Sequence, residues 1–381
     1  MPSIHILTHE YPPHRGGAGT YCFEMGLAAS KLEQNIEVWA PSGSEKNDSF
    51  DIIELPWKGS QGIFASWRLI KKIKKFISAN DTEDIFHLAE LGSSRAFLRF
   101  GWMIRKKIKI ILTIHGSEIL RFTRTPIEKW LFRKLLQRSV KIHVLSKFNK
   151  QKLTEFCPSV EHSICLIPGA PSGSLRDNRS SFDELKGKNK IQILCVGRIH
   201  PRKGQDQILL ALKTLPKEQQ NKIVIRFAGP KTKPKFFEKL SKLSKGFTGK
   251  VIFEGDCTDF KLRKLYNSSD IFALTSMPVV NSIEGFGFVY LEASSYGLPI
   301  IANQTGGVED AVIKGKTGLL AQPGDLKELS QLLNNLVNDE KLRERLGKEG
   351  QKWAKKHTWE KVAKTVYNFS QRTSANAGLS R

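Results

Sequence analysis

The chain alternates short apolar runs with amphipathic segments, breaks once, and then starts the alternation again. The first series of runs is 4–8, 36–40, 84–88, 108–115, 140–145 and 164–167; the second is 191–197, 222–229, 251–254, 271–275 and 299–302. Apolar runs spaced by helical patterns predict parallel strands joined by crossover helices. Between the two series lies 168–190, PGAPSGSLRDNRSSFDELKGKNK, rich in Pro, Gly, Ser and charge, with nothing in it to seed a core. The expectation is an α/β protein of two doubly wound domains, 1–170 and 191–357, with a linker at 171–190. A chain of 381 residues gives each domain enough length to bury its own core. Open parallel sheets bind ligands beyond the carboxyl ends of their strands, so two such domains facing each other would form a central cleft.

Net charge is +24 at pH 7, unevenly spread. Between Arg95 and Lys152, sixteen Lys and Arg stand against only Glu118 and Glu128. Upstream, 61–77 (QGIFASWRLIKKIKKFI) sets Ile63, Trp67, Ile70, Ile73 and Ile77 at helical spacing, with Arg68, Lys71, Lys72, Lys74 and Lys75 mostly on other faces. Two readings stay open for this helix: a surface helix packed on the domain core, or attraction to an anionic membrane at about 1 kcal/mol per basic residue. Nucleic acid is a third partner for such charge, but there is no zinc-finger spacing, RNP sequence or basic zipper, and no specific nucleic acid is expected. The five cysteines form no CxxC pair and no metal-ligand spacing with histidine, which predicts reduced thiols and no metal site. No apolar run reaches spanning length and no basic leader precedes the first run, so the expected location is cytoplasmic, at the inner face of the membrane.

Four stretches carry chemistry, each just after a predicted strand. In HEYPPHRGGAGTY, Gly16 and Gly17 precede a helix expected near Ala18, where backbone N–H groups can approach an anion, although paired glycines also serve ordinary turns. His115 ends the strand in IILTIHGSE, either offering a ring nitrogen to a ligand or satisfied by the backbone. In GRIHPRKG (197–204), Gly197 ends a strand and Arg198 and Lys203 follow, a fork and a point charge suited to a diphosphate. This is neither a Walker A loop nor a GxGxxG turn.

The fourth stretch, EGFGFVYLEA (284–293), sets Glu284 just outside a helix expected to start near Phe286, with Glu292 two turns in. Eight residues span about 12 Å along a helix axis, beyond the roughly 5–9.5 Å of a glycosidase carboxylate pair. The glutamates are therefore expected to grip different parts of one elongated ligand, with N–H groups around Gly285 to Phe288 facing its anionic centre. A surface helix with incidental acids is the plainer alternative. Carboxylates for hydroxyls and a basic loop for a diphosphate point to an activated sugar.

GRIHPRKG, EGFGFVYLEASSYGLPIIANQTGGVEDAV, the terminal HTWEKVAKTVYNF and the N-terminal YPPHRGG together resemble glycosyltransferase family 4, the retaining, nucleotide-sugar-dependent enzymes of GT-B fold. The resemblance implies two Rossmann-like domains, metal-independent transfer without a cofactor, and a final helix, about 358–373, that crosses back onto the first domain. By position it implies that Arg198 and Lys203 hold the donor diphosphate, Glu284 the transferred sugar and Glu292 the ribose. It gives Gly285, Phe286, Gly287, Phe288 and Val289 backbone contacts to phosphate and sugar, and Cys257 the base pocket. Gly197 ends the strand that presents the loop, Gly16 and Gly17 approach the diphosphate, and His115 contacts the sugar near its C6 hydroxyl. One departure is IPGAP, where many relatives carry an Asn-Gly-Val-Asp turn. The implied partners are a nucleotide-sugar and a glycan or glycolipid acceptor, with the basic segments favouring a lipid-linked or anionic acceptor at the membrane. A soluble acceptor, an epimerase, a pyridoxal-dependent phosphorylase and a nucleic-acid binder are the competing readings.

Overall fold

The computed structural model describes residues 2–13, 16–55, 61–79, 83–175, 190–280 and 282–368. The chain divides into two units, one running to Gly169 and resuming at Thr358, the other spanning Ala170–His357. The first unit holds β1 (Ile4–Leu7), β2 (Ile36–Pro41), β3 (Asp51–Leu55), β4 (Ile85–Leu88), β5 (Lys109–Ile114), β6 (Lys141–Val144) and β7 (Ile164–Leu166). Their spatial order is β3-β2-β1-β4-β5-β6-β7, every neighbouring pair parallel. The second unit holds β8 (Ile191–Val196), β9 (Ile223–Ala228), β10 (Lys250–Gly255), β11 (Ile271–Leu274), β12 (Ile300–Asn303) and β13 (Gly318–Ala321). These lie in the order β10-β9-β8-β11-β12-β13, again all parallel. The α/β, doubly wound class expected from the sequence is the one observed. In each sheet the strand order reverses beside the first strand, between β1 and β4 and between β8 and β11, and such a reversal opens a crevice at the strands' carboxyl ends.

Two strands escaped the sequence reading. β3 is an edge strand whose residues are mostly exposed or half-buried, so it has no continuous apolar run. β13, GLLA, is short and follows the turn-rich IKGKTG. The expected linker 171–190 is only partly described, 176–189 lying outside the described residues. Its first part departs from expectation, because Leu175 in the turn Gly173–Leu175 is buried and packs toward the helix Asp259–Asn267 of the second unit.

The helix Trp359–Tyr367 belongs to the first unit and packs on the helix Gly17–Lys31. It buries Trp359, Val362, Ala363, Val366 and Tyr367, one stripe of a 3.6-residue period, and Thr358 caps it by accepting from the Lys361 N–H. Residues 369–373 of the expected final helix lie outside the described residues. The Tyr367 hydroxyl meets His87 Nδ1 at 2.8 Å, and His87 Nε2 lies 2.7 Å from Thr113 Oγ1. The Tyr21 hydroxyl is 2.8 Å from His143 Nδ1 and 3.0 Å from Thr113. Burial drives the His143 imidazole down to about 4, so it is neutral inside this polar centre.

The basic helix spans Ile63–Ala79. Ile70, Ile73 and Ile77 are buried as the periodicity predicts, and Leu69 is buried beside them, but Ile63 and Trp67 are 57% and 38% exposed. Of the stripe, the members from Ile70 onward meet the core.

Candidate functional site

In the second unit, the β8/β11 reversal is built by glycines at left-handed or extended turns. Gly197 (φ +152°) donates its N–H to the Ala228 carbonyl, and a Cβ on Gly229 would lie 2.2 Å from the Gly197 oxygen, so only glycine fits there. The chain turns through Pro201–Lys203, capped by His200 Nδ1 accepting from the Arg202 N–H at 3.1 Å. Gly204 (φ +65°) then presses on β11's exit: a Cβ would stand 2.0 Å from the Thr275 carbonyl, while Thr275 Oγ1 donates to the Gly204 carbonyl at 2.8 Å. Met277 N–H donates to the Arg202 carbonyl at 2.7 Å. The loops after β8 and β11 are thereby held together.

This clamp sets two cations on one carboxylate. Glu284 Oε2 accepts from Lys203 Nζ at 2.6 Å, Ser276 Oγ at 2.8 Å and Arg202 Nη1 at 3.0 Å. The three charged side chains are only 10–13% exposed. Burial alone would raise Glu284, but Lys203 and Arg202, helped by the Ser276 hydrogen bond, hold it down to about 2. Burial lowers the Lys203 ammonium from its ordinary value, with Glu284 acting against that shift. The Glu284 main chain is fixed as well, since its carbonyl accepts from Gly307 N–H at 2.9 Å and a Cβ on Gly306 would come within 2.2 Å of it.

The helix after Glu284 starts at Phe288, two residues later than expected, because Gly287 at φ +88° ends the extended chain and takes the N-cap position. No side chain caps this helix. A Cβ on Gly287 would lie 2.6 Å from the Tyr290 ring, whose hydroxyl donates to the Leu274 carbonyl at 2.9 Å. Glu292 is therefore about one turn into the helix, not two, and is 5% exposed. Its Oε2 accepts from the Tyr266 hydroxyl at 3.0 Å. Phe286 and Phe288 are buried with ring centroids 5.8 Å apart, and Val289 follows in the first turn. Cys257 is buried after β10, its thiol directed to the Gly255 carbonyl at 3.5 Å. Arg198 is exposed, and its guanidinium forms no ion pair with a carboxylate among the described residues. The structure brings Lys203 and Glu284 together and does not bring Arg198 to them.

In the first unit, Gly16 is the N-cap of the helix Gly17–Lys31, again without a side-chain cap. A Cβ on Gly16 would overlap Glu10 Oε1, so the glycine admits the Glu10 carboxylate beside the helix start. His115 Nε2 donates to the Ala89 carbonyl at 2.9 Å, which fixes the proton on that nitrogen, and its ring lies edge-on to Tyr21 at 5.0 Å. Across the β1/β4 reversal, His9 Nδ1 is 3.1 Å from Glu90 Oε1. Glu90 also caps the helix Leu91–Phe100, accepting from Gly92 and Ser93 N–H.

Arg202, Ser276, Tyr266, His9 and Glu90 were not singled out from the sequence. Arg202 stands beside Lys203 and His9 and Glu10 directly follow the first strand, so a rule of inspecting every polar residue after a strand would have found them. Ser276 directly follows the predicted run 271–275 and falls under the same rule, whereas Tyr266, inside a helix, carries no such signal. Among the described residues no group of three or more His, Cys, Asp or Glu side chains could hold a metal ion.

Residues 177–353 match the family model described as Glycosyl transferases group 1, and residues 15–170 match that described as Glycosyltransferase Family 4. The chain is 24% identical, over 92% of its length and 93% of the relative's, to the GDP-mannose-dependent alpha-(1-6)-phosphatidylinositol monomannoside mannosyltransferase of Mycolicibacterium smegmatis. Among solved structures, sucrose-phosphate synthase from Thermosynechococcus elongatus superposes with a TM-score of 0.77 at 18% identity, over 95% of this chain and 96% of that one. Anabaena HepE in complex with UDP-glucose superposes at 0.75 and 16%, over 96% and 98%.

Proposed function

We propose, from the premise that this chain belongs to glycosyltransferase family 4 and is a nucleotide-sugar glycosyltransferase of GT-B fold, that it moves a hexose with retention of configuration onto a lipid-linked acceptor at an anionic membrane face. The observation that carries the donor half is the buried Glu284 carboxylate holding Lys203 and Arg202 at the β8/β11 reversal. Lys203 and Arg202 supply positive charge where a diphosphate leaves, and charge stabilisation of the leaving group is the largest catalytic contribution expected in such a site. Arg198, exposed earlier in the same loop, adds a fork for the phosphate oxygens. Glu284 accepts from the sugar's hydroxyls, Glu292 from the ribose, and the helix start at Phe288 faces the diphosphate with its dipole. Gly285, Phe286, Gly287 and Val289 give backbone contacts, and Cys257 borders the base. The acceptor hydroxyl attacks C1 on the face the nucleotide leaves, its proton passing to the departing phosphate oxygen, and no metal takes part.

The acceptor half rests on the first unit's surface. Phe64, Trp102, Ile127 and Trp130 are 78%, 75%, 72% and 57% exposed, within a region dense in Lys and Arg. Lys71 lies over the Trp67 ring at 4.7 Å. Exposed apolar side chains in a segment this basic suit the interface of an anionic bilayer. The glycolipid acceptor in the name of the mycobacterial relative agrees with this reading. No helix among the described residues is long and apolar enough to cross a membrane.

The test is transfer from a panel of GDP- and UDP-hexoses to a lipid extract, with the product followed into the organic phase and its anomeric configuration assigned. An α-linked lipid product from an α-linked donor is expected, with sedimentation on anionic vesicles at low salt and release at high salt. Product confined to the aqueous phase, or equal sedimentation on neutral vesicles, overturns the acceptor half.

A further inference from the structure

The hydroxyl of Tyr266 has a role that packing does not explain. Tyr266 sits on the helix Asp259–Asn267, fully buried, stacked on Tyr296 at 5.0 Å and 14° and on Phe272 at 6.2 Å and 30°. A phenylalanine ring would meet both stacking contacts. The added hydroxyl is buried against a buried carboxylate, donating to Glu292 Oε2 at 3.0 Å, and an unpartnered hydroxyl in such a place would carry a desolvation cost. Burial, then the neighbouring Glu292, pushes the Tyr266 phenol well up, so it keeps its proton and remains the donor.

We propose that Tyr266 is a positioning residue of the donor site, holding the Glu292 carboxylate in the one rotation that receives the 2′,3′-diol of the nucleotide's ribose. The proposal rests on the reading of Glu292 as the ribose acceptor. The contrast with Glu284 gives its chemistry. Glu284 is held by two cations and a serine, whereas the Tyr266 contact adds no positive charge to Glu292. Glu292 Oε2 thus accepts from a neutral donor, which sets the rotation of the carboxylate toward two vicinal hydroxyls. A carboxylate pre-set in rotation loses less freedom on binding than one that must be ordered by the ligand.

The experiment is calorimetric titration of the full chain with GDP and UDP, each against its 2′,3′-dideoxy counterpart, for wild type, Tyr266→Phe and Glu292→Gln. The tighter diphosphate of the two is used throughout. Wild type should prefer the ribonucleotide, and Tyr266→Phe, with its melting temperature kept, should weaken ribonucleotide binding by about tenfold, as for one hydrogen bond to a charged group, while dideoxynucleotide binding stays unchanged. A merely structural role would weaken both ligands alike. If Glu292→Gln abolishes the preference and Tyr266→Phe keeps it, the positioning role falls and the ribose reading stands. If Glu292→Gln keeps the preference, the ribose reading falls and the positioning role with it.

Discussion

Arg202 and Lys203 are neighbours in sequence and partners on one oxygen of Glu284. A buried carboxylate with two cations is costly to break and informative to trim, because removing one partner leaves the others unbalanced. Arg202→Ala leaves Lys203 and Ser276 on Glu284, so a loss of about tenfold in kcat/KM, ~1.4 kcal/mol, is expected, with Arg202→Lys recovering part of it. Steady-state kinetics on the donor checks this, and an Arg202→Ala enzyme with unchanged kcat/KM would remove Arg202 from the site. The spacing in GRIHPRKG marked a basic loop correctly but could not tell which arginine turns toward Glu284. That is decided by the left-handed Gly204 and by the Met277 N–H on the Arg202 carbonyl, both contacts with a loop more than seventy residues away in sequence. Tyr266 was illegible for the same reason: within its own helix it is one more apolar-face aromatic, and only the fold brings Glu292 to its hydroxyl.

The elements that present these residues were read more completely than the residues themselves. Every strand that flanks a reversal point was visible as an apolar run, because strands buried on both faces have no polar alternation to obscure them. The edge strands β3 and β13 were missed where burial is partial or the run is four residues long. The helix carrying Glu292 was placed two residues early, since the apolar EGFGF continues the pattern through a turn that Gly287 alone permits. Gly287→Ala must therefore strain a φ of +88° and push a methyl toward the Tyr290 ring. A loss of about 1–3 kcal/mol in stability is expected, with donor affinity falling as the helix start shifts. Denaturant melts and nucleotide titration read both; a Gly287→Ala protein with wild-type stability and affinity would show that the left-handed turn is dispensable.

At the scale of the whole molecule, the terminal helix returns to the first unit and its Tyr367 joins the buried His87, Thr113, Tyr21 and His143 centre. His143 is neutral when folded and titrates near 4, against about 6.5 when unfolded, so the unfolded chain binds the extra proton between those values. Stability should fall as pH drops from about 6.5 toward 4, by about 3 kcal/mol from this residue, and stay level in this respect above 7. His87 is lowered too and acts in the same direction. Urea melts at pH 7.5 and 5 test this, and equal midpoints would contradict it. The central claim, that the cluster at the β8/β11 reversal handles the donor diphosphate, is tested most directly by sugar transfer to the lipid extract in wild type and Lys203→Ala, with circular dichroism and melting curves for both. The expected result is a folded Lys203→Ala protein whose transfer rate is lower by a hundredfold or more, about 2.7 kcal/mol of lost transition-state stabilisation. A folded Lys203→Ala protein with the wild-type rate would contradict it.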